Sequence, residues 1–203
     1  MKTTMKATAL LNAALDELLE RVRPVLALVS NGRRGAGAGV LAGDALVVTN
    51  LHVVGRSRSV QVLLDDGSKY DARVIASDPN VDLALLQIPA NGHTAAVFSS
   101  ARPRPGELVY AFGHPWGQRN VLTGGVLSAV TSLRGRHGEV PVLRADVQLA
   151  PGNSGGPLLN ATGEVIGLNA MIFGGDQSVA IPSSLIESFL AGARKNIHPE
   201  AVL

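Results

Sequence analysis

Hydrophobic positions along the chain follow two different periods. Over residues 8–22, Leu11, Leu15, Leu18 and Val22 recur at three- and four-residue spacing, while Asp16, Glu17, Glu20 and Arg21 fall on other faces. That pattern predicts an amphipathic helix. Pro24 predicts its end, because proline lacks the N–H and its ring clashes with the preceding turn. Such a helix either lies on the body of its own chain or serves as an oligomerisation element. Beyond Pro24 the helical period disappears. Short apolar, often β-branched runs take over at 25–29, 39–41, 45–49, 60–64, 72–77 and 83–88. Turn residues separate them: Asn31-Gly32, Gly43-Asp44, Asp65-Asp66-Gly67 and Asp78-Pro79-Asn80. After a proline-rich link at 102–106, a second set follows at 108–112, 120–123, 125–131, 140–145, 156–159, 165–170 and 177–180. Many short strands without alternating helices predict antiparallel barrels or a sandwich rather than a parallel sheet. Ser184-Leu185-Ile186-Glu187 reads as a capping box opening a short closing helix that ends near Gly192.

Composition narrows the class. The 203 residues are 46% hydrophobic and 17% charged, with 23 glycines, which fits a turn-rich chain with a sizeable core. Aromatics are 3%, so that core must be mostly Val, Leu, Ile and Ala. A net charge of +2 without a dense Lys/Arg cluster argues against nucleic acid as a partner. No apolar run reaches the roughly 18 residues of a membrane span. There is no cysteine, so no disulfide framework is available, and a reducing compartment fits. Lys2, Lys6 and the apolar stretch 7–15 do not make an export signal, since Asn12 interrupts the stretch and Asp16, Glu17 and Glu20 follow. A cytoplasmic location is expected, with a periplasmic or extracellular one as the alternative if a signal was trimmed.

The chemistry concentrates at Ala150-Pro151-Gly152-Asn153-Ser154-Gly155-Gly156-Pro157. A hydroxyl among residues that favour tight turns is either part of a surface turn or a nucleophile pushed outward, with nearby N–H groups converging on one point. Two other residues stand out. His52 lies just past a strongly apolar run, where a lone histidine is more often structural than catalytic. Asp82 is the only charge in Val81-Asp82-Leu83-Ala84-Leu85-Leu86, where an acid must be paired or hydrogen-bonded, or else cap a strand or turn. Together they supply a nucleophile, a base and an acid that orients the base. Their order, His then Asp then Ser, is the chymotrypsin order. Gly37-Ala38-Gly39-Val40-Leu41-Ala42 loosely matches a dinucleotide fingerprint, but a turn and a strand follow it instead of a helix, so no phosphate site is assigned.

The chain resembles the protease domain of the HtrA/Deg family of trypsin-like serine proteases. The matching segments, in the family's order, are 37–41, Thr49-Asn50-Leu51-His52-Val53-Val54, Ser77-Asp78-Pro79-Asn80-Val81-Asp82-Leu83-Ala84-Leu85-Leu86, Ala111-Phe112-Gly113-His114-Pro115-Trp116-Gly117, 151–158, 163–169 and Ala180-Ile181-Pro182-Ser183. The resemblance spans residues 35–184. It implies two six-stranded antiparallel β-barrels with the active site between them; the amphipathic helix of 1–24 and the closing helix and tail of 185–203, read from the residues themselves, lie outside it. The first barrel is expected at about 25–100 and the second at about 106–184. It further implies His52 as general base, Asp82 as its orienting acid, Ser154 as nucleophile, and the N–H groups of Gly152 and Ser154 as oxyanion donors, with Asn153 shaping the loop.

In the trypsin-like arrangement the base of the primary pocket is six residues before the serine, here the uncharged Gln148, so a preference for Arg or Lys is not expected. By resemblance, Leu149 and the strand Leu168-Asn169-Ala170 would line the pocket and pair with substrate backbone, favouring small or medium aliphatic residues before the cut. Asn153 stands where secreted trypsins carry the aspartate that pairs with a new N-terminal amine, so propeptide activation is not expected. Residues 131–139, with Arg134, Arg136 and His137, are read either as a loop that senses the activating signal or as an ordinary polar hairpin. No PDZ module is legible after residue 184. The resemblance implies a homo-oligomer, a trimer, but the family's aromatic-rich trimerisation segment is not evident, and an aliphatic helix occupies the N-terminus instead. His114 is read as a turn residue, and no metal or cofactor is assigned. Two functions follow: an endopeptidase acting on unfolded or misfolded protein and peptides, or a catalytically silent binding module using the same cleft.

Overall fold

The computed structural model describes residues 2–32, 35–43, 45–89, 92–135, 137–173 and 177–196. Helix α1 spans Lys2–Val22 and passes through a 3-10 turn at Arg23–Val25 that carries Pro24. It starts earlier than the sequence period requires. Its final turns are covered: Leu18 and Val22 are buried, whereas Leu10 is 72% and Leu11 53% exposed. Arg21 Nη1 ties this end down by donating to Thr162 O at 2.6 Å.

Six strands follow: β1 (Leu26–Ser30), β2 (Ala36–Gly43), β3 (Leu46–Asn50), β4 (Ser59–Leu63), β5 (Lys69–Asp78) and β6 (Leu83–Gln87). They close into an antiparallel barrel in the order β1-β2-β3-β6-β5-β4. β3 and β6 run through its most enclosed part, with Val47 to Asn50 and Leu83 to Leu86 all buried. Each buried leucine there contributes about 1.5–3 kcal/mol relative to leaving it exposed.

The second barrel consists of β7 (Leu108–Gly113), β8 (Val121–Gly135), β9 (Gly138–Ala145), β10 (Pro157–Asn160), β11 (Val165–Phe173) and β12 (Gln177–Pro182). Read from β7, its order β7-β8-β9-β12-β11-β10 repeats the topology of the first. The expected separate strands at 120–123 and 125–131 are one strand, β8. Gly124, which separates the two expected strands, stays in register opposite Tyr110, as Gly125 does opposite Val109.

The connecting segment clamps the barrels together. Ala96 N donates to Leu41 O in the first, while Val165 of the second donates to Val97 O and accepts from Ser99 N. Helix α3 (Ser183–Asn196) then returns to the first barrel. Its buried Ile186, Leu190 and Ala193 join the same core as Leu83–Leu86, and Arg194 Nη2 donates to Ala42 O at 2.9 Å. Two expectations about α3 need correction. It begins at Ser183, so Ser184 sits inside the first turn and its carbonyl accepts from Ser188 Oγ instead of forming the expected cap. It also runs through Gly192, because its apolar stripe continues to Ala193 and packing outweighs the glycine's weak propensity.

Candidate active site

β3 and β6 are antiparallel, with Asn50 opposite Leu83. The residues just after β3 and just before β6 therefore leave the barrel at the same edge. After Asn50 the chain turns into the four-residue helix α2 (Leu51–Val54), ended by Gly55, and this turn carries His52 with about half its side chain exposed. Asp82 precedes Leu83 with φ 55°, a left-handed conformation that is costly away from glycine. Its surroundings compensate. Asp82 O accepts from Leu51 N at 3.0 Å and from Asn50 Nδ2 at 3.1 Å. Its carboxylate accepts from the backbone N of His52 at 2.9 Å through Oδ1, and Oδ2 faces His52 Nδ1 at 2.6 Å. A carboxylate only accepts, so Nδ1 is the donor and Nε2 keeps its lone pair for a proton.

Ser154 belongs to the loop between β9 and β10. Ser154 O accepts from Ala38 N at 2.7 Å, which docks the second barrel's loop onto β2 of the first. Gly155 has φ 84°, and a Cβ there would overlap the Ala38 carbonyl, so both backbone angle and contact demand glycine. A Cβ built on Gly37 would lie 2.7 Å from Val53 Cγ2 and 2.8 Å from Ser154 O. Gly37 thus marks where α2, bearing His52, and the serine loop converge. The Ser154 hydroxyl itself donates to Ala170 O at 3.0 Å. That carbonyl is available because the β11–β12 register shifts between Asn169 and Met171. Among the described residues, no hydrogen bond joins Ser154 Oγ to His52.

The neighbouring peptides are oriented from β7 and the segment that follows it. Trp116 N donates to Pro151 O at 2.8 Å and His114 N to Gly152 O at 3.3 Å. A trans peptide with its carbonyl held on one side presents the following N–H on the other. Gly152 N–H is therefore directed away from Trp116, and among the described residues neither Gly152 N nor Ser154 N has a protein acceptor. Gly152 has φ 109°, and a Cβ there would overlap His114 O. Asn153 is buried, its own N–H turning back to Ala150 O at 3.0 Å.

The expected specificity residues separate. Gln148 and Leu149 line an open cavity of about 600 Å³ together with Asn153, Thr123 and Ser178. Thr123 Oγ1 donates to Gln148 O and Ser178 Oγ to Val147 O, which fixes this wall. Leu168 does not line that cavity: its side chain is wholly buried in the core. Asn169 is a brace, with Nδ2 donating to Pro157 O and its backbone bonded to Gly155 and Gly156. Only Ala170 reaches the nucleophile, through its carbonyl.

His114 is a turn residue, its carbonyl accepting from Gly117 N at 3.0 Å, but a buried one. It is 1% exposed, with Nδ1 accepting from Asn120 N at 3.3 Å and Nε2 buried without a hydrogen bond. Burial, then the positive charge of Arg119, lowers its pKa to about 4. Residues 131–139 lie in a hairpin: β8 and β9 pair from Thr131 opposite Val142 to Gly135 opposite Gly138. Arg136 lies outside the described residues. Sequence reasoning missed the supporting roles of Ala38, Asn50 and Trp116; their positions beside the key motifs were the available signal.

Residues 37–168 match the trypsin-like peptidase domain. The chain is 39% identical over 165 residues to serine protease HTRA1 of Xenopus tropicalis, covering 77% of this chain and 35% of that protein. It is 41% identical over 164 residues to mitochondrial serine protease HTRA2 of Bos taurus, covering 77% and 36%. The crystal structure of the serine endoprotease from Yersinia pestis superimposes with a TM-score of 0.78 at 29% identity, covering 88% of this chain and 65% of that one. The chain thus spans about a third of the length of these curated relatives. With the strand order, the serine loop and the matched domain in agreement, the chain belongs to the HtrA-type group of trypsin-like serine proteases.

Proposed function

We propose that the chain is a serine endopeptidase in which Ser154 attacks the scissile carbonyl, His52 takes its proton, and Asp82 holds the imidazole. The observation that carries this reading is the paired grip of Asp82 on His52, one bond to the backbone and one to Nδ1. It leaves Nε2 as the proton acceptor. Attack requires the hydroxyl to turn from Ala170 O toward His52. The tetrahedral oxyanion is held by Gly152 N–H and Ser154 N–H, with Asn153 shaping the turn. Collapse then gives the acyl-enzyme, and His52 returns the proton to the departing amine.

Substrates in this reading are unfolded or misfolded proteins and peptides, paired as an added strand beside Ala170. The uncharged Gln148 and apolar Leu149 favour small or medium aliphatic residues before the cut. Self-association, if trimeric as in the resemblance, would use the exposed Leu10 and Leu11 of α1. The second reading, a silent binding module, rests on the Ser154–Ala170 hydrogen bond, which holds the nucleophile away from the base.

Labelling with a fluorophosphonate probe separates the two. Label on the wild type but not on Ser154→Ala is the expected result, and Ser154→Ala lowers peptide hydrolysis by about 10⁴-fold or more. Failure to label even with an unfolded protein present overturns the enzyme in favour of the binding module. A peptide library cleaved mainly after Arg or Lys overturns the aliphatic preference.

A further inference from the structure

The β4–β5 turn carries two adjacent acids that do different things. Asp66 serves the turn itself: its Oδ1 accepts from Ser68 N at 2.8 Å, while Leu64 pairs with Ser68 and Gly67 through the backbone. Asp65 takes no part in that closure. Both its oxygens reach away from the turn, although it is only 21% exposed. Oδ1 accepts from Asn120 Nδ2 at 2.8 Å, and Oδ2 accepts from Arg23 Nη2 at 3.3 Å. Arg119 adds a second tie to the same turn, donating to Leu64 O at 2.9 Å with its guanidinium 3.9 Å from Asp65 Oδ1. One carboxylate of the first barrel thus joins the end of α1 to the 114–120 loop of the second.

That loop is strained and sits under the serine loop. Trp116 and Asn120 have φ of 55° and 59°, a conformation that Asn adopts readily but that in a bulky residue such as Trp persists only where surrounding contacts enforce it. Asn120 is pinned twice, by its side chain on Asp65 and by its N–H on His114 Nδ1. From there His114 N and Trp116 N hold the carbonyls of Gly152 and Pro151, and the second of these directs Gly152 N–H.

We propose that Asp65 is a positioning residue for the oxyanion loop: it holds Asn120, and through the 114–120 loop the Pro151–Gly152 peptide, in the orientation that offers Gly152 N–H to substrate. Through Arg23 it makes that orientation depend on the seating of α1. The inference rests on the protease reading above. It assigns Asp65 no contact with substrate, so its removal acts on the stabilisation of the developing oxyanion.

Removing an oxyanion donor outright costs about 10²–10³ in kcat, so loosening one by way of Asp65→Ala should cost ~10- to 100-fold. The test measures fluorophosphonate labelling rate, kcat and KM on full-length wild type, Asp65→Ala, Asp66→Ala, Arg23→Gln and the exchange Asp65→Asn/Asn120→Asp. Asp65→Ala should lower kcat and labelling while leaving KM and the pH at which labelling is half-maximal unchanged, since the His52–Asp82 pair is untouched. Arg23→Gln should give a smaller fall in the same direction. The exchange should recover much of the loss, because the amide can donate to the relocated carboxylate. Asp66→Ala weakens the turn alone and should label at the wild-type rate.

Equal labelling of Asp65→Ala and wild type overturns the inference and leaves the protease reading standing. So does an equal loss in Asp66→Ala, or a loss that tracks the unfolded fraction seen by circular dichroism without recovery in the exchange. Absence of label on the wild type itself refutes the protease reading instead.

Discussion

Acid should destabilise this fold through one buried histidine. The folded pKa of His114 lies near 4, below its ordinary 6.5, chiefly because burial penalises the charged ring. Arg119 pushes in the same direction, while the nearby Ala27 carbonyl and Asp65 oppose it more weakly. Between those two values the unfolded chain binds a proton that the folded chain does not. Stability from this residue is therefore fully present above about pH 6.5 and is lost as pH falls toward 4. The full loss is about 3 kcal/mol, of which about 2 kcal/mol falls between pH 7.5 and 5.0. Protonation also turns Nδ1 from acceptor to donor against Asn120 N–H, so the 114–120 loop is the first place expected to give. His114→Asn retains an acceptor oxygen near the Nδ1 position and cannot titrate. Urea unfolding followed by circular dichroism at both pH values, on both proteins, isolates the term, because the other titrating groups are common to the pair. Wild type should lose about 2 kcal/mol more than His114→Asn on acidification. Equal losses would refute the account.

Three further substitutions test other parts of the structure. Asp82→Asn keeps the volume but frees the wrong imidazole tautomer, so steady-state peptide hydrolysis should show kcat falling by about 10⁴-fold, and a fall below tenfold would count against Asp82 as the orienting acid. Gly155→Ala places a methyl against Ala38 O at a positive φ, and should cost about 2 kcal/mol or more by chemical denaturation together with loss of labelling. Gly192→Ala meets no atom within 4 Å in the interior of α3, so it should raise stability by about 0.5–1 kcal/mol, whereas a lower melting temperature would show that the helix does not continue there.

Much of this protein is written locally. Alternation of short β-branched runs with Gly, Asn and Asp turns is a property of neighbouring residues, so the strands, the all-β class and Pro24 as the end of α1 are legible without any partner. The glycines around Ser154 are legible for the same reason, since backbone conformation there is demanded within a few residues. The errors arose where distant chain supplies the energy. Gly124 reads as a break, yet β8 continues because β7 pairs across it. Gly192 reads as a stop, yet α3 continues because its apolar face is buried in the first barrel. Leu168 belongs to a motif beside the cleft, but the pleat of β11 turns its side chain inward.

His114 and Asp65 are the clearest cases of what only the tertiary structure decided. In sequence one is a histidine before proline and the other half of an Asp-Asp-Gly turn. What they do depends on the packing of two barrels and a helix around them, which removes water from the imidazole and brings Arg23 and Asn120 to the carboxylate. A side chain's type is a local fact; its hydration and its partners are set by long-range contacts, and those determine its charge and which neighbours it can hold.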